Sequence, residues 1–384
     1  MITLKGMTWN HERGIRPLVE SSKLFREKYG VDIQWDARSL SDFELFPLEE
    51  LAKCYDLIMI DHPHIGVAHE KSLLIPLDEQ LGKEFLEQQE LGAVGKSYES
   101  YHWKGHQYAI PLDAAAQVGA YRADLLDERV PETWGDVLHL AVNLQGRKKI
   151  AIPFVKVHAY SSFFSVCSQL GQRVFWSDGS CLDEKVGAEA LNLLIQIVKN
   201  AHPESKNMDP IDMLNLMMEK DEIVYSPLVY GYSNYSREGY GSHVVRFCDM
   251  PRTNEFPEGS MIGGVGLAIS TGCAHIKEAV EFLKMTGDPL FQKSFLYDEG
   301  GQPGHMAAWT DVRVNRNSNG FFLDTLRTLQ YGSMRPRFAG YVDFQAEAGK
   351  RIRQFVLDER QDGEEFICEL NGLIKQCRGN HGLK

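Results

Sequence analysis

The first sixty residues change several times between strand-like and helix-like apolar patterns. Residues 2–8 predict a short strand, residues 15–29 repeat apolar positions at helical spacing, and residues 31–35 alternate as a strand. Residues 48–52 fit the end of a second helix. Residues 55–60 form a continuous apolar run, which is typical of a strand buried on both faces. This strand–helix–strand–helix–strand order predicts a parallel sheet flanked by helices.

The rest of the chain continues with mixed strand and helix patterns. Strands are predicted at 150–154 and 223–226, and helices at 160–170, 184–200, 276–286 and 343–357, with a further helix beginning near 324. The chain therefore belongs to the α/β class.

Size and charge narrow the possible functions. A chain of 384 residues is too long for one average domain, and its 43% apolar content is sufficient for ordinary cores. The net charge of −12 disfavours a nucleic-acid partner, which requires clustered cations. No apolar run approaches the roughly 20 residues that span a bilayer, so no membrane insertion is expected.

Two blocks of sequence carry a more specific signal. Residues 107–144 contain Gln-Tyr-Ala-Ile-Pro-Leu-Asp, then Val-Gly-Ala-Tyr-Arg-Ala-Asp-Leu-Leu, then Pro-Glu-Thr-Trp-Gly-Asp-Val-Leu, with Thr133 as the expected helix N-cap. Residues 261–304 contain a Gly-Gly-x-x-Leu-x-Ile segment, a helix, and a Gly-x-Pro loop. These blocks resemble the inter-domain crossovers of family 1 extracellular solute-binding proteins, the ligand receptors of ABC importers.

The resemblance implies the two-lobed periplasmic-binding-protein type 2 fold, in which each lobe is a mainly parallel sheet flanked by helices and a ligand cleft lies between the lobes. It places lobe one at 1–112 and 262–310, and lobe two at 113–261 and 311–384. The implied function is binding of a sugar, polyol or related polar solute by closure of the lobes, as a monomer without cofactors. An ABC permease is the expected partner if the protein is exported.

The cellular location is predicted from the N-terminus and the cysteines. Residues 1–7 lead directly into the first strand, without the apolar region of a signal peptide. Seven cysteines, an odd number without a Cys-x-x-Cys pair, favour a reducing compartment. We therefore expect a cytoplasmic protein, whereas a trimmed signal sequence would indicate the periplasm or the cell surface.

Polar side chains follow the predicted strands of the first lobe. Ligand sites in parallel sheets lie beyond the carboxyl ends of the strands, which nominates Trp9 and His11 after the first strand. Asp61, His62 and His64 follow the buried strand and could contact a ligand, chelate a metal, or form a plain loop that caps the next helix.

Charged candidates are expected near the same sheet edge. Asp36 and Arg38 follow the second predicted strand, where they could clamp a carboxylate or form a surface ion pair. The resemblance places Asp113 at the mouth of the cleft. Gly263 and Gly264 fit neither a P-loop nor a dinucleotide fingerprint, so close backbone approach at a hinge is the better explanation for them, and their backbone N–H groups could reach the ligand.

The second lobe supplies aromatic candidates and one cation. Tyr225 lies where the family commonly lines its ligand site, and Tyr230 follows in a tyrosine-rich segment that could stack on a sugar. Arg335 could reach an anionic ligand or lie in a solvated turn.

Catalytic motifs are missing from the sequence. The chain contains neither a Gly-x-Ser-x-Gly elbow nor a His-Glu-x-x-His helix. An alternative is a cytoplasmic enzyme or sensor for a small carboxylate on the same fold, in which His11, His62 and His64 would act as acid or base.

Overall fold

The structure, a computed structural model, describes residues 1–144, 146, 148–172, 175–177, 179–253 and 257–381. Its strands are β1 (Ile2–Trp9), β2 (Val31–Arg38), β3 (Leu57–Ile60), β4 (His102–Trp103), β5 (His106–Gln107), β6 (Ile110–Pro111), β7 (Ala115–Tyr121), β8 (Lys149–Ile150), β9 (Ile223–Tyr230), β10 (Arg246–Cys248), β11 (Ile262–Gly263) and β12 (Gly266–Ile269).

The α-helices are α1 (Glu12–Tyr29), α2 (Leu40–Leu45), α3 (Leu48–Cys54), α4 (Ile65–Glu70), α5 (Lys83–Gly92), α6 (Trp134–Asn143), α7 (Lys156–Gln169), α8 (Glu184–Asn200), α9 (Pro210–Glu219), α10 (Ile276–Gly287), α11 (Pro289–Phe291), α12 (Met306–Trp309), α13 (Val312–Asn317), α14 (Phe321–Gln330), α15 (Tyr341–Leu357) and α16 (Gly363–His381). Short 3₁₀ turns occupy His62–His64, Leu77–Glu79, Glu99–Tyr101, Pro203–Asn207 and Ser233–Ser236, and a π-helical turn occupies Gln292–Leu296. No helix among the described residues is both long enough and apolar enough to cross a membrane.

The chain divides into two compact units, each assembled from separate stretches of sequence. Unit 1 consists of Met1–Ala115, Gly263–Val314 and Arg337–Ala339. Unit 2 consists of Ala116–Ile262, Asn315–Pro336 and Gly340–Lys384.

Unit 1 is built on a five-stranded sheet in the order β2-β1-β3-β12-β6. β1 pairs in parallel with both β2 and β3, as the sequence predicts, whereas β12 runs antiparallel to both of its neighbours. The core is formed by fully buried side chains such as Leu4, Met7, Phe25 and Ile58. The two strands flanking β12 therefore run in the same direction, and their carboxyl ends lie at one edge of the sheet.

The second strand of unit 1 is longer than predicted. β2 continues to Arg38 and stays paired with β1 along its whole length, so Asp36 and Arg38 lie within the strand and do not follow it. The apolar alternation fades after Trp35 because β2 is an edge strand, and its outer part is accessible to solvent.

Unit 2 contains a four-stranded sheet in the order β10-β7-β9-β8. β8 and β9 pair in parallel, whereas β7 runs antiparallel to both β9 and β10. The expectation of a mainly parallel sheet in each lobe is therefore wrong for this unit.

The predicted strand at 150–154 is mostly irregular, and only Lys149–Ile150 is strand. Pro153 has no backbone N–H for a ladder, and the next N–H, that of Phe154, bonds to the Ser205 carbonyl at 3.0 Å. After this segment α7 begins, and most of its side chains are buried.

Local signals at helix ends match the structure. Thr133 caps α6 in a capping box with Asp136, as expected from the hydroxyl at that position. Gly30 ends α1 with a φ of 70° and donates its N–H to the Arg26 carbonyl.

Candidate functional site

The carboxyl ends of four strands in unit 1 meet at one edge of its sheet. Trp9 ends β1 and pairs with Arg38 at the end of β2, while residues 61–64 follow β3. β6 runs in the same direction as β3, so Asp113 follows it at this edge as well. Such an edge is where α/β proteins bind ligands.

Trp9 joins the end of β1 to the beginning of α1. Its side chain is only 4% exposed and packs against Phe43 with ring centroids 5.6 Å apart. A Cβ atom at Gly14 would come within 2.5 Å of the indole ring, so this glycine is required for the close contact. The indole Nε1 is buried and has no hydrogen-bond partner among the described residues. The Trp9 ring is therefore part of the hydrophobic core, and its Nε1 is the one polar atom of the side chain.

His11 caps α1. Its Nδ1 accepts a hydrogen bond from the Arg13 backbone N–H at 3.0 Å. Burial, and then the positive charge of Arg13, lower the pKa of His11 from 6.5 to about 4. The imidazole is therefore neutral at physiological pH and can exchange hydrogen bonds with neutral groups.

The Asp61–His64 segment forms a 3₁₀ turn after β3. Asp61 accepts a hydrogen bond from the His62 backbone N–H at 2.8 Å, and its carboxylate lies 3.2 Å from His62 Nδ1. His62 and His64 are both buried. Within the described ranges, no group of three or more His, Cys, Asp or Glu residues is arranged to hold a metal ion.

A buried ion pair joins two elements that are distant in sequence. Arg13, in the first turn of α1, donates from Nε and Nη2 to the two carboxylate oxygens of Asp113 at 2.6 and 2.5 Å. Both side chains are at most 5% exposed. Burial raises the pKa of the Asp113 carboxyl, and the guanidinium opposes that shift. The sequence nominated Asp113 but not Arg13. The available signal for Arg13 was its position shortly after the end of the first strand.

Residues 263–265, which precede β12, contact the backbone of Asp113. Asp113 and Val265 exchange two backbone hydrogen bonds, both of 3.1 Å. Gly264 has a φ of 93°, and a Cβ atom there would lie 2.4 Å from the Asp113 carbonyl oxygen. Gly263 precedes it as the last residue of β11. Positive φ and close backbone approach both require glycine at position 264.

Asp36 and Arg38 make local contacts. Asp36 is exposed and accepts a hydrogen bond from the Tyr55 hydroxyl at 2.9 Å. The Arg38 guanidinium lies 3.6 Å from the centre of the Phe46 ring. Arg38 therefore lies beside Trp9 at the sheet edge, whereas Asp36 lies two residues earlier in the strand.

In unit 2 three buried or half-buried polar side chains come together. Tyr230, the last residue of β9, meets His158 of α7 edge to face with ring centroids 5.9 Å apart. Arg335 is 4% exposed and donates to Gln345 Oε1 at 3.2 Å. The solvated turn considered for Arg335 is therefore wrong. His158 was missed by sequence reasoning, because a histidine in an apolar helical stretch carries no motif.

Tyr225 lies deeper in the same strand than Tyr230. Its ring is fully buried, and burial raises the pKa of its hydroxyl well above the ordinary value. The structure therefore places Tyr230 with His158 and leaves Tyr225 in the interior of unit 2.

Comparison with known proteins identifies relatives of the chain. A profile of a family described as bacterial extracellular solute-binding protein matches residues 49–304, two thirds of the sequence.

Solved structures resemble the chain over nearly its whole length. An ABC transporter solute-binding protein from Agrobacterium radiobacter K84, in complex with ribitol, has a TM-score of 0.80 at 19% identity and covers 99% of this chain and 98% of its own. Maltose-bound MalE3 of T. maritima has a TM-score of 0.81 at 16% identity, covering 99% and 100%. A solute-binding protein of Thermotoga lettingae TMO, bound with α-D-tagatose, has a TM-score of 0.82 at 16% identity, covering 97% and 100%. The expected α/β solute-binding fold is confirmed.

Proposed function

The chain belongs to the bacterial extracellular solute-binding protein family, and from this premise we propose that its ligand is a neutral sugar or polyol. The ribitol, maltose and tagatose bound by the similar proteins support this ligand class.

The observation that carries the proposal is the buried Arg13–Asp113 pair. Its two charges balance each other, so this part of the sheet edge offers hydrogen bonds without a net charge. A carboxylate has lone pairs beyond those used by one guanidinium, so Asp113 can still accept from hydroxyl groups. Vicinal hydroxyls both donate and accept, which suits an edge formed by an ion pair and a neutral His11.

A small carboxylate is a poorer match for the same edge. An anionic ligand needs a cation that is not already neutralised, and Asp113 already matches the charge of Arg13 at 2.5 Å. We therefore place Trp9, His11, Asp61, His62, Asp113 and Gly264 in the proposed ligand site of unit 1, with Arg13 as the residue that positions Asp113.

Family membership also guides the proposed partner and location. We propose delivery of the solute to an ABC permease, with the protein at the extracellular side of the membrane. The family description gives no support to the cytoplasmic location expected from the N-terminus and the cysteines.

The test compares ligands that differ by one charge. Ribitol and ribonate have the same carbon chain, and ribonate carries a carboxylate in place of a terminal hydroxymethyl group. Purified protein is titrated calorimetrically with ribitol, tagatose, maltose and ribonate. We expect at least one neutral ligand to bind and to stabilise the protein by about 2.7 kcal/mol at 100 times its Kd, with ribonate at least about tenfold weaker than ribitol. Tighter binding of ribonate, or no binding of any neutral ligand, would contradict the proposal.

A further inference from the structure

Two buried glutamine side chains of unit 1 bind the backbone on either side of Asp113. Gln292 donates from Nε2 to the carbonyl oxygen of Pro111 at 3.1 Å, and Gln302 donates from Nε2 to that of Ala114 at 2.9 Å. The Ala114 N–H in turn donates to the Gln302 carbonyl at 3.0 Å. The carbonyl groups two residues before and one residue after Asp113 are therefore held by side chains from another part of the chain.

Gln292 is the first residue of the π-helical turn Gln292–Leu296, which is closed by a hydrogen bond from the Tyr297 N–H to the Gln292 carbonyl. Such turns are rare and occur frequently at functional sites. The Gln292 side chain is fully buried, and its Oε1 has no hydrogen-bond partner among the described residues. A methionine would fill similar space without that destabilising atom. The bond from Nε2 to the Pro111 carbonyl therefore accounts for an amide at this position.

Gln302 is connected to the same π-helical turn. The N–H of Gly301 donates to the Leu296 carbonyl at 2.9 Å, and a Cβ atom at Gly301 would lie only 2.7 Å from that oxygen. This close approach requires glycine. The turn that carries Gln292 thus also holds the loop that carries Gln302, and the two glutamines form one support for the 111–114 segment.

We propose that Gln292 and Gln302 are positioning residues for ligand binding, which hold the backbone around Asp113 so that its carboxylate keeps lone pairs directed towards ligand hydroxyl groups. The inference rests on the proposed function and extends it to two residues that act through Asp113. Arg13 orients the carboxylate, and the glutamines fix the backbone from which it projects. Binding groups need to be held within about 0.5 Å of their productive position by supporting hydrogen bonds of this kind.

Three methionine variants separate positioning from general stabilisation. Gln292→Met and Gln302→Met keep the length of the side chain and remove its donor. Gln89→Met is the matched control, because Gln89 is also buried in unit 1 and donates from Nε2 to the Gly287 carbonyl at 2.9 Å. That carbonyl belongs to α10 and lies outside the 111–114 segment. Each variant is titrated with ribitol, tagatose and maltose, and its thermal unfolding is measured without ligand.

Affinity should distinguish the variants, whereas stability should not. For the neutral ligand that binds the wild type, we expect the Kd to rise at least about fivefold in Gln292→Met and in Gln302→Met, and to stay within about twofold in Gln89→Met. The ligand-free Tm should fall by similar small amounts in all three, because each variant loses a buried hydrogen bond to a backbone carbonyl.

Gln292→Glu adds a pH profile that packing alone does not produce. The new carboxyl can donate to the Pro111 carbonyl only when it is protonated. The ratio of variant to wild-type affinity should therefore rise as the pH falls from about 8 to about 5, since burial raises the pKa of a carboxyl. Taking the ratio cancels the titration of groups that both proteins share, including His11 and Asp113. The ratio for Gln89→Glu should stay constant.

Several results would overturn the proposal and leave the proposed function intact. Wild-type affinity in either Gln292→Met or Gln302→Met would overturn the role of that glutamine. An equal rise of the Kd in Gln89→Met, or a flat pH ratio for Gln292→Glu, would show that these amides only stabilise unit 1. Failure of the wild-type protein to bind any neutral ligand would overturn the proposed function, and the role of both glutamines with it.

Discussion

The two units treat their buried polar groups differently. In unit 1, Arg13 and Asp113 satisfy each other through two hydrogen bonds, and the backbone of Asp113 is held by Val265. In unit 2, His158 is buried as a neutral ring whose Nδ1 has no partner among the described residues. The buried charges of the first pair therefore neutralise each other, whereas the buried imidazole is uncharged and keeps one ring nitrogen without a partner among the described residues.

This difference between the two buried polar sites predicts how each unit responds to substitution. A buried ion pair fixes geometry, because removing either partner leaves an uncompensated charge. A buried neutral imidazole carries no charge to compensate, so an Nδ1 without a partner costs only the lost hydrogen bond. We therefore expect substitution of Asp113 to lower both stability and ligand binding, whereas replacing His158 by an apolar ring should leave the stability unchanged or raise it.

The largest effect should come from breaking the ion pair. Asp113→Ala leaves the Arg13 guanidinium buried without its partner, so we expect a loss of about 3–5 kcal/mol in the free energy of unfolding, measured by urea denaturation. The matched control is the double variant Arg13→Met/Asp113→Leu, which removes both charges at similar volume. It should regain most of the lost stability but not ligand binding. Equal stability of the single and double variants would show that the pair is not the organising contact of this edge.

A smaller effect is expected from the glycine that holds Asp113. Gly264→Ala combines a positive φ with a clash against the Asp113 carbonyl, so we expect a loss of about 3 kcal/mol in the free energy of unfolding. Gly105 is the control, because its φ is 89° but nothing lies within 4 Å of a Cβ atom there. Gly105→Ala should cost only about 1 kcal/mol. Similar losses in both variants would mean that the contact with Asp113 contributes little.

At neutral pH the smallest effect is expected from His11, because its titration changes the stability only in acid. The pKa of His11 is lowered from 6.5 to about 4, so the unfolded chain binds more protons than the folded chain between these values. This contribution to stability is present above pH 6.5 and is lost as the pH falls towards 4. His11→Asn retains a good N-cap and does not titrate.

The measurement is the free energy of unfolding at several pH values. His11→Asn should reduce its slope between pH 4 and 6.5 by at most about 1.4 kcal/mol per pH unit. His158→Asn tests the same effect in unit 2, where the pKa of His158 is lowered to about 3. An unchanged slope in both variants would contradict the view that the two units keep their histidines neutral by burial.

Much of the fold was accessible from local patterns. The cap at Thr133 depends on contacts within a few residues, so residue type and position suffice to predict it. The end of β2 was predicted too early, because the polar residues of an edge strand do not follow the apolar alternation. The irregular segment after Ile150 was predicted as strand, because its apolar residues are buried without joining a ladder.

The candidate site was only partly accessible. The rule that ligand sites follow strand ends nominated Trp9 and His11, and the resemblance to solute-binding proteins nominated Asp113. The structure brings all three to one edge of the unit 1 sheet. It could not show that the Trp9 ring is packed into the core, because that depends on Gly14 and Phe43 lying over it. Tyr225 and Tyr230 looked alike in sequence, and only burial separates them.

By itself, the sequence determined the α/β class, the order of most elements, the helix caps and the resemblance to solute-binding proteins. These features are encoded in periodicity and in short motifs, which act over a few residues. The tertiary structure decided that Arg13 meets Asp113, 100 positions later in the chain, and that His158 is buried beside Tyr230. Such pairs depend on which strands become neighbours in a sheet and which helix covers them, and the physical reason is that burial and long-range hydrogen bonding arise only when the whole unit is assembled.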